Sequence, residues 1–412
     1  MKKLTVFYVA LVMIFSALPA VAQDKADWAF YGSVRMWTAW ESVDANTPPQ
    51  LSSQGATGSF FQNATSKARA FSIGTTTYDD ADLAWLLQSN SRIGARVKWG
   101  NVGGAFEYGS GPNLRLLFGT WNFGPGTLLV GQDYGSYDYR VSNVCGPGGA
   151  ECNGIGLGSI YAGRTPQLAL IMGGFRASLE MPAQNASFSP TTTRPILPTT
   201  LLLTNNQTTA GTGFIETDIT IPRLAAKYSF NAGPGQFFVG GQYYSYKEVY
   251  GVAGREVENT VDGWTLGAGT KLAFGPFYTN ATVQYGYNPN NAGSGPATLY
   301  PSVQLYSSAL DKSEDAEYLA AQLILGFKLN DSMAFEGGII WQNGEVQSPT
   351  SQVSFEQSTY TYYIQMTWSP VKNVFIVPEI GIIDYNKLKS SDSADLNYGN
   401  LTWFGIKWQI NF

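Results

Sequence analysis

Beyond residue 23 the apolar side chains of this 412-residue chain recur at every second position, and no run of them there is long enough to cross a membrane as a helix. The clearest case is the C-terminus, where Phe404, Ile406, Trp408, Ile410 and Phe412 alternate with Gly405, Lys407, Gln409 and Asn411. The same period runs from Leu319 to Leu329 against Gln322, Gly326 and Lys328, from Tyr362 to Trp368, and from Trp264 to Leu272. Successive side chains of a strand point to opposite faces, so each segment has one oily and one polar face. The chain is therefore all-β, with one face of its sheet against hydrocarbon or a core and the other wet.

A secreted sandwich and a membrane barrel both satisfy that pattern, and the connections decide between them. About sixteen strands are expected, the first over 28–40 and the last over 399–412, with boundaries good to about ±2–4 residues. Turn residues at Gly100-Asn101, Gly124-Pro125-Gly126, Ala232-Gly233-Pro234, Gly275-Pro276, Asn330-Asp331 and Ser369-Pro370 reverse the chain tightly. Long polar segments, 41–86, 134–162, 182–221, 288–315 and 386–398, lie between them, and the two kinds of connection are expected to alternate strictly. Short turns on one rim and long loops on the other belong to a transmembrane barrel, because closure alone pairs every backbone group in lipid. Composition agrees: only 13% of residues are charged, against about 25% in soluble domains. Trp28, Trp40, Trp99, Trp341, Trp368 and Trp403 fall near strand ends, where two interfacial girdles are expected.

The N-terminus reads as an export signal, with Lys2 and Lys3 ahead of the uncharged stretch Leu4 to Leu18 and small residues at Ala20-Val21-Ala22. The expected organisation is a cleaved signal over 1–22 and one barrel domain over 23–412.

At this point the chain resembles the trimeric general porins of Gram-negative outer membranes. The terminal Phe412 with its alternating apolar residues looks like their assembly signal, and Ser91-Arg92-Ile93-Gly94, Gly126 to Asp133 and Gly163-Arg164-Thr165-Pro166-Gln167 read like porin strands flanking a constriction loop. The resemblance covers essentially the whole mature chain as strand pattern and short motifs. It implies a bacterial outer-membrane location, a homotrimer, lipid and lipopolysaccharide as neighbours, small hydrophilic solutes and ions as cargo, and a loop after the fifth strand, here 134–162, folded into the lumen.

The lumen can also be read from the residues. The alternation turns Ser33 and Arg35 inward opposite Val34 and Met36, puts Arg92, Arg96 and Lys98 inside, and places Arg115 inside opposite Leu114 and Leu116. On the lipid face each such charge would cost ~2–4 kcal/mol near the midplane, which fixes the register. Asp133, Asp138 and Glu151 lie on the inward loop and its approach. A basic wall of Arg35, Arg92, Arg96 and Arg115 facing these acids would set up a transverse field, with selection by width, charge and dipole alignment. The other reading is that the charges only pair to hold the loop to the wall. Further inward bases are Arg176, Arg223, Lys227, Lys271, Lys328 and Lys407, several of them beside short turns and so expected at the periplasmic mouth; Glu107, Glu180, Glu336 and Glu379 are the further inward acids.

Cys145 and Cys152 flank a glycine-rich stretch, which in an exported chain points to one disulfide, with free thiols or a metal site as the alternatives. The chain has no histidine, which removes histidine-based triads, His-ligated haem and His-containing zinc sites. The acidic balance, net −5, argues against nucleic acid as a partner. No cofactor and no enzymatic activity are expected. Passive diffusion of small hydrophilic solutes and ions is the leading function. A substrate-specific channel is the alternative, with inward Tyr31, Trp37, Tyr244 and Tyr246 as a lumenal track for sugars, or a track for anions.

Overall fold

The computed structural model describes residues 26–45, 78–111, 113–147, 152–182, 212–219, 221–252, 255–291, 301–307, 310–349, 353–392, 395–397 and 399–412. The expected export signal, residues 1–22, and Glu151 lie outside them. Among the described residues there is no α-helix. In chain order the strands are β1 (Asp27–Ala45), β2 (Tyr78–Leu87), β3 (Arg92–Trp99), β4 (Val102–Gly109), β5 (Leu114–Asn122), β6 (Thr127–Tyr134), β7 (Arg164–Met172) and β8 (Phe175–Glu180). They continue with β9 (Thr212–Asp218), β10 (Arg223–Ala232), β11 (Gly235–Val252), β12 (Arg255–Phe274), β13 (Phe277–Tyr287), β14 (Leu305–Ser307), β15 (Lys312–Glu314) and β16 (Glu317–Asn330). The last six are β17 (Met333–Gln347), β18 (Ser354–Trp368), β19 (Val374–Asp384), β20 (Lys387–Ser390), β21 (Leu396–Asn397) and β22 (Asn400–Asn411).

Sixteen of these strands close into one antiparallel ring: β1, β3 to β8, β10 to β13, β16 to β19 and β22. The seam lies between β22 and β1, paired from Ser33↔Asn411 to Asp44↔Asn400. Gly32 and Phe412 extend it by exchanging backbone hydrogen bonds at 2.8 and 3.1 Å. Closure leaves the ring no unpaired edge, the condition for a sheet to sit in hydrocarbon. The shorter strands prolong the wall beyond the ring. β2 runs along β1 in line with β3, β9 along β11 in line with β10, and β20 along β18 in line with β19.

On one rim the strands turn within residues 100–101, 123–126, 173–174, 233–234, 275–276, 331–332 and 369–373. Gly100, Gly173, Gly233 and Gly275 hold φ between +54° and +61° there, the left-handed conformation that a two-residue hairpin turn needs and side chains resist. The expectation of strict alternation is corrected on the opposite rim, where the connections 110–113, 253–254 and 348–353 are short. The reason is strand length. β11 and β12 stay paired out to Val252↔Arg255, so the segment between 247 and 261 is ladder and not loop.

The ring is inside-out by the standards of a soluble protein. Phe30, Leu266, Leu325, Ile364 and Ile410 are each more than half exposed, whereas Trp37, Ala39, Ile324 and Tyr363, on the other face of the same strands, are buried. Lipid replaces the missing core, and apolar side chains on that face lose nothing by remaining outside. Trp28, Trp40, Trp99 and Trp368 are exposed in keeping with a girdle, and Trp341 is partly exposed. Trp403 is the exception: it is buried, with its indole N–H donated to Glu379 at 2.8 Å. Its neighbour Phe404 takes the lipid face, and the strict alternation of β22 therefore sends Trp403 inward.

Candidate functional site

Residues 135–147 leave β6 into the barrel interior and residues 152–163 return to β7, in a segment that starts and ends one position later than the expected 134–162. On the way out Tyr139 stacks on Phe238 of β11 at 4.6 Å between ring centroids, and the carbonyl of Val141 accepts from Asn280 of β13 at 3.0 Å. On the way back the carbonyl of Leu157 accepts from Gln322 of β16 at 3.1 Å and that of Gly158 from Gln284 of β13 at 2.9 Å. The two limbs meet where the Tyr139 N–H donates to the Ile160 carbonyl at 2.9 Å. Cys145 and Cys152 are joined by a disulfide near the far wall, and Gln88, between β2 and β3, donates to Cys152 Sγ at 3.3 Å. Space for the outward limb comes from β12. A Cβ on Gly269 would stand 2.8 Å from the Tyr139 ring, so a bare backbone is what lets that tyrosine lie flat against the wall.

Loop backbone in a barrel interior still needs partners for its N–H groups, and the wall supplies carboxylates. Glu180 of β8 accepts from the Ser136 N–H at 2.7 Å. Glu336 of β17 accepts from the Asn143 N–H at 2.9 Å and its side-chain amide at 2.7 Å, and also from Tyr278, Tyr363 and Gln365. Glu379 of β19 accepts from the N–H groups of Cys145 and Gly146 at 2.8 and 2.9 Å. All three glutamates are buried, and Glu180 is further paired with Arg223 at 2.5 Å. Hydrogen bonds to an ionised acceptor are about twice as strong as neutral ones, so these three side chains fasten the loop along its whole outward course.

The arginines read from the sequence lie on β1, β3 and β5. Arg35 on β1 is followed across the ladder by Arg92 on β3, which pairs with Ser33, and Arg96 on β3 lies over the Tyr31 ring at 5.5 Å. Arg115 reaches the interior at an irregularity in β5. Tyr108 opposes Leu114 and Glu107 opposes Leu116, which leaves Arg115 as the extra residue, and Leu116 shares the inward face with Glu107. The parity that would place Leu116 opposite Arg115 therefore fails at this point. Arg115 is buried and donates to Glu107 at 2.7 Å, with Arg92 3.6 Å from the same carboxylate.

The acids do not face that wall. Asp133 pairs with Arg176 of β8 at 3.1 Å, and Asp138 with Arg140 on the same loop at 2.9 Å. Burial holds the Asp138 carboxyl above the usual range in spite of Arg140 and Lys227 nearby. Lys227 and Lys271 are not mouth residues. The Lys227 ammonium donates to the Asp138 carbonyl at 3.1 Å, and that of Lys271 sits 5.1 Å over the Tyr139 ring, so both support the loop from the wall. Arg140, which sequence reasoning did not single out, lies over the rings of Tyr134 and Tyr161 at 4.7 and 5.5 Å. The inward aromatics do not form an open track either. Trp37, Tyr244 and Tyr246 are buried, the first bonded to Glu41 and the other two to the carbonyls of Asn288 and Asn291.

No protein-family model matches the chain, and no curated protein matches it significantly. Solved structures do. The outer membrane channel DcaP of Acinetobacter baumannii superposes with a TM-score of 0.59 at 15% identity, over 96% of this chain and all of that one. OmpT of Vibrio cholerae, described as expressed in the outer membrane, gives 0.53 at 10% identity over 95% of this chain and all of that one. A trimer form of in-vitro folded OmpT gives 0.52 at 12% identity, over 94% of this chain and all of that one. The chain shares with them a porin-type closed barrel spanning nearly its whole length.

Proposed function

We propose that the protein is an outer-membrane channel for passive diffusion of small hydrophilic solutes and ions, with a preference for anions. Residues 1–22 direct export, the mature chain sits among outer-membrane lipid and lipopolysaccharide, and three copies assemble as a homotrimer, the state that the trimer form of the similar OmpT favours. A sixteen-stranded ring is wide enough to hold an aqueous path even with a loop inside it. No step needs an energy source or covalent chemistry. Sizing by native electrophoresis in mild detergent should give three chains per particle; a single chain would remove the trimer from this reading.

One observation carries the sign of selectivity. The buried acids Glu107, Glu180, Glu336 and Glu379 are occupied with arginines or loop N–H groups, whereas Arg35, Arg96 and Lys407 make no ion pair among the described residues. Charge engaged in buried bonds contributes little to the field along the path, and charge left beside water sets it. The reading of a basic wall opposed by an acidic loop thus gives way to a predominantly basic lumen. In planar bilayers under a salt gradient the reversal potential should take the sign of anion preference. A potential of the opposite sign would overturn this assignment while leaving the channel itself in place.

The buried rings of Trp37, Tyr244 and Tyr246 weigh against a sugar track. Concentration-dependent solute flux distinguishes the two: flux that rises linearly for neutral sugars fits diffusion, and saturation by one sugar fits the track.

A further inference from the structure

Lys407, Arg35 and Arg92 form a row of like charges on three adjacent strands, β22, β1 and β3, and we infer that this row is a binding site for the oxyanion head of a carboxylate or phosphate solute. The inference rests on the channel reading above and deepens it from a preference for anions to a preference for one kind of anion.

The pairing places the three side chains side by side. Arg35 lies opposite Gln409 on one flank, with Lys407 at the next inward position of β22, and beside Ser33↔Arg92 on the other. All three share the lumen face, since their neighbours Val34, Ile93, Phe404 and Trp408 are exposed to lipid. Arg35 is near the charges of Arg92, Arg115 and Glu107, and Lys407 is near those of Arg35, Glu379 and Glu336. Like charges on neighbouring strands are destabilising, and the sheet gives them no room to separate. Compensation from carboxylates is incomplete. Glu107 is committed to buried Arg115 at 2.7 Å and stands 3.6 Å from Arg92. Glu379 is the nearest acid along β19, opposite Gly405, but its two oxygens accept from Cys145, Gly146 and Trp403. The Lys407 ammonium makes no hydrogen bond or ion pair among the described residues.

The arginine at the centre of the row is also oriented. Its Nε donates to Ser33 Oγ at 2.9 Å, which fixes the guanidinium plane and leaves both terminal nitrogens without a partner among the described residues. A guanidinium so held presents a planar fork of N–H groups, matched to two oxygens of a carboxylate or phosphate and poorly matched to a spherical halide. The row lies midway along β1 between the girdle residues Trp28 and Trp40. Its Lys407 is two ladder positions from Glu379, where Cys145 and Gly146 of the loop are tied down, so a solute passing the loop meets the row.

The test is single-channel recording in potassium chloride with the full-length mature protein, adding inorganic phosphate in one series and citrate in another. Either oxyanion should reduce the chloride current along a saturating curve, and the lower half-blocking concentration identifies the preferred head. Arg35→Lys keeps the charge and loses the fork, so it should raise the half-blocking concentration about tenfold or more while the reversal potential in chloride stays anion-selective. Arg92→Lys, which leaves the central residue intact, should raise it less. Block that never saturates, or a half-blocking concentration unchanged in Arg35→Lys, overturns the site. Cation selectivity of the unaltered channel would instead overturn the underlying reading.

Discussion

A channel carrying Glu336→Ala together with Glu379→Ala should conduct at least twice the current of the unaltered protein and should flicker between levels. The two glutamates accept four hydrogen bonds from the loop, through the backbone and side chain of Asn143 and the backbone of Cys145 and Gly146. Hydrogen bonds to a charged group are worth roughly 1.5–3 kcal/mol each, so even half of this set amounts to about 3 kcal/mol. That shifts the balance between docked and released loop about a hundredfold. Removing the carboxylates also takes their acceptor from the Tyr278 hydroxyl and the Trp403 indole, while the Tyr363 hydroxyl keeps Ser142 Oγ at 2.7 Å. The lipid face is untouched, so heat-modifiable mobility in detergent gels should persist. Glu336→Gln alone keeps an acceptor oxygen and should give a smaller increase. Unchanged conductance in the double alanine variant would mean that the loop is held instead by its contacts to Phe238, Asn280, Gln284 and Gln322.

Converting Arg35 and Arg92 together to glutamate should reverse the reversal potential in a salt gradient from anion to cation preference. Each change moves the local charge by two, at positions in line on adjacent strands with Lys407 as their cationic neighbour on β22. In a narrow passage such a change acts on every ion that passes. Arg92→Glu also places a second acidic side chain near Glu107, which is already paired with Arg115, so the newcomer is turned toward the lumen. Measuring at low and high salt separates mechanisms: a field effect shrinks as salt rises, whereas a change of pore shape does not. A potential that keeps its sign at low salt would show that the basic row does not control permeation.

The wall was legible in the sequence because lipid imposes a two-residue period that a local reading detects, as Phe404 to Phe412 do in β22. The strand ends were less so. The outer halves of β11 and β12 carry Lys247, Glu248, Glu256 and Glu258, and polar residues that leave the membrane while still paired look like loop. The loop's attachment was legible only as the alternative that charges pair to hold it to the wall, and the partners were not. Asn143 and Glu336 are 193 residues apart, and a glutamate that fastens backbone has the same letter as one that lines water. Inward acids were identified, but their direction of work was not. Lys227 shows the same limit, since its position near a turn says nothing about how far a four-carbon stem reaches toward Asp138. Trp403 needed only the alternation of its own strand, which outweighs the general preference of tryptophan for interfaces.

The wall grips the outward course of the loop chiefly by its main chain, through the amides of Ser136, Asn143, Cys145 and Gly146. Such a clasp is indifferent to most substitutions in what it holds. Side chains of this segment that the wall does not engage are therefore open to replacement while the course of the segment is preserved. Selection, natural or in the laboratory, can retune what this barrel admits by rewriting a few letters in one stretch, without rebuilding the frame around it.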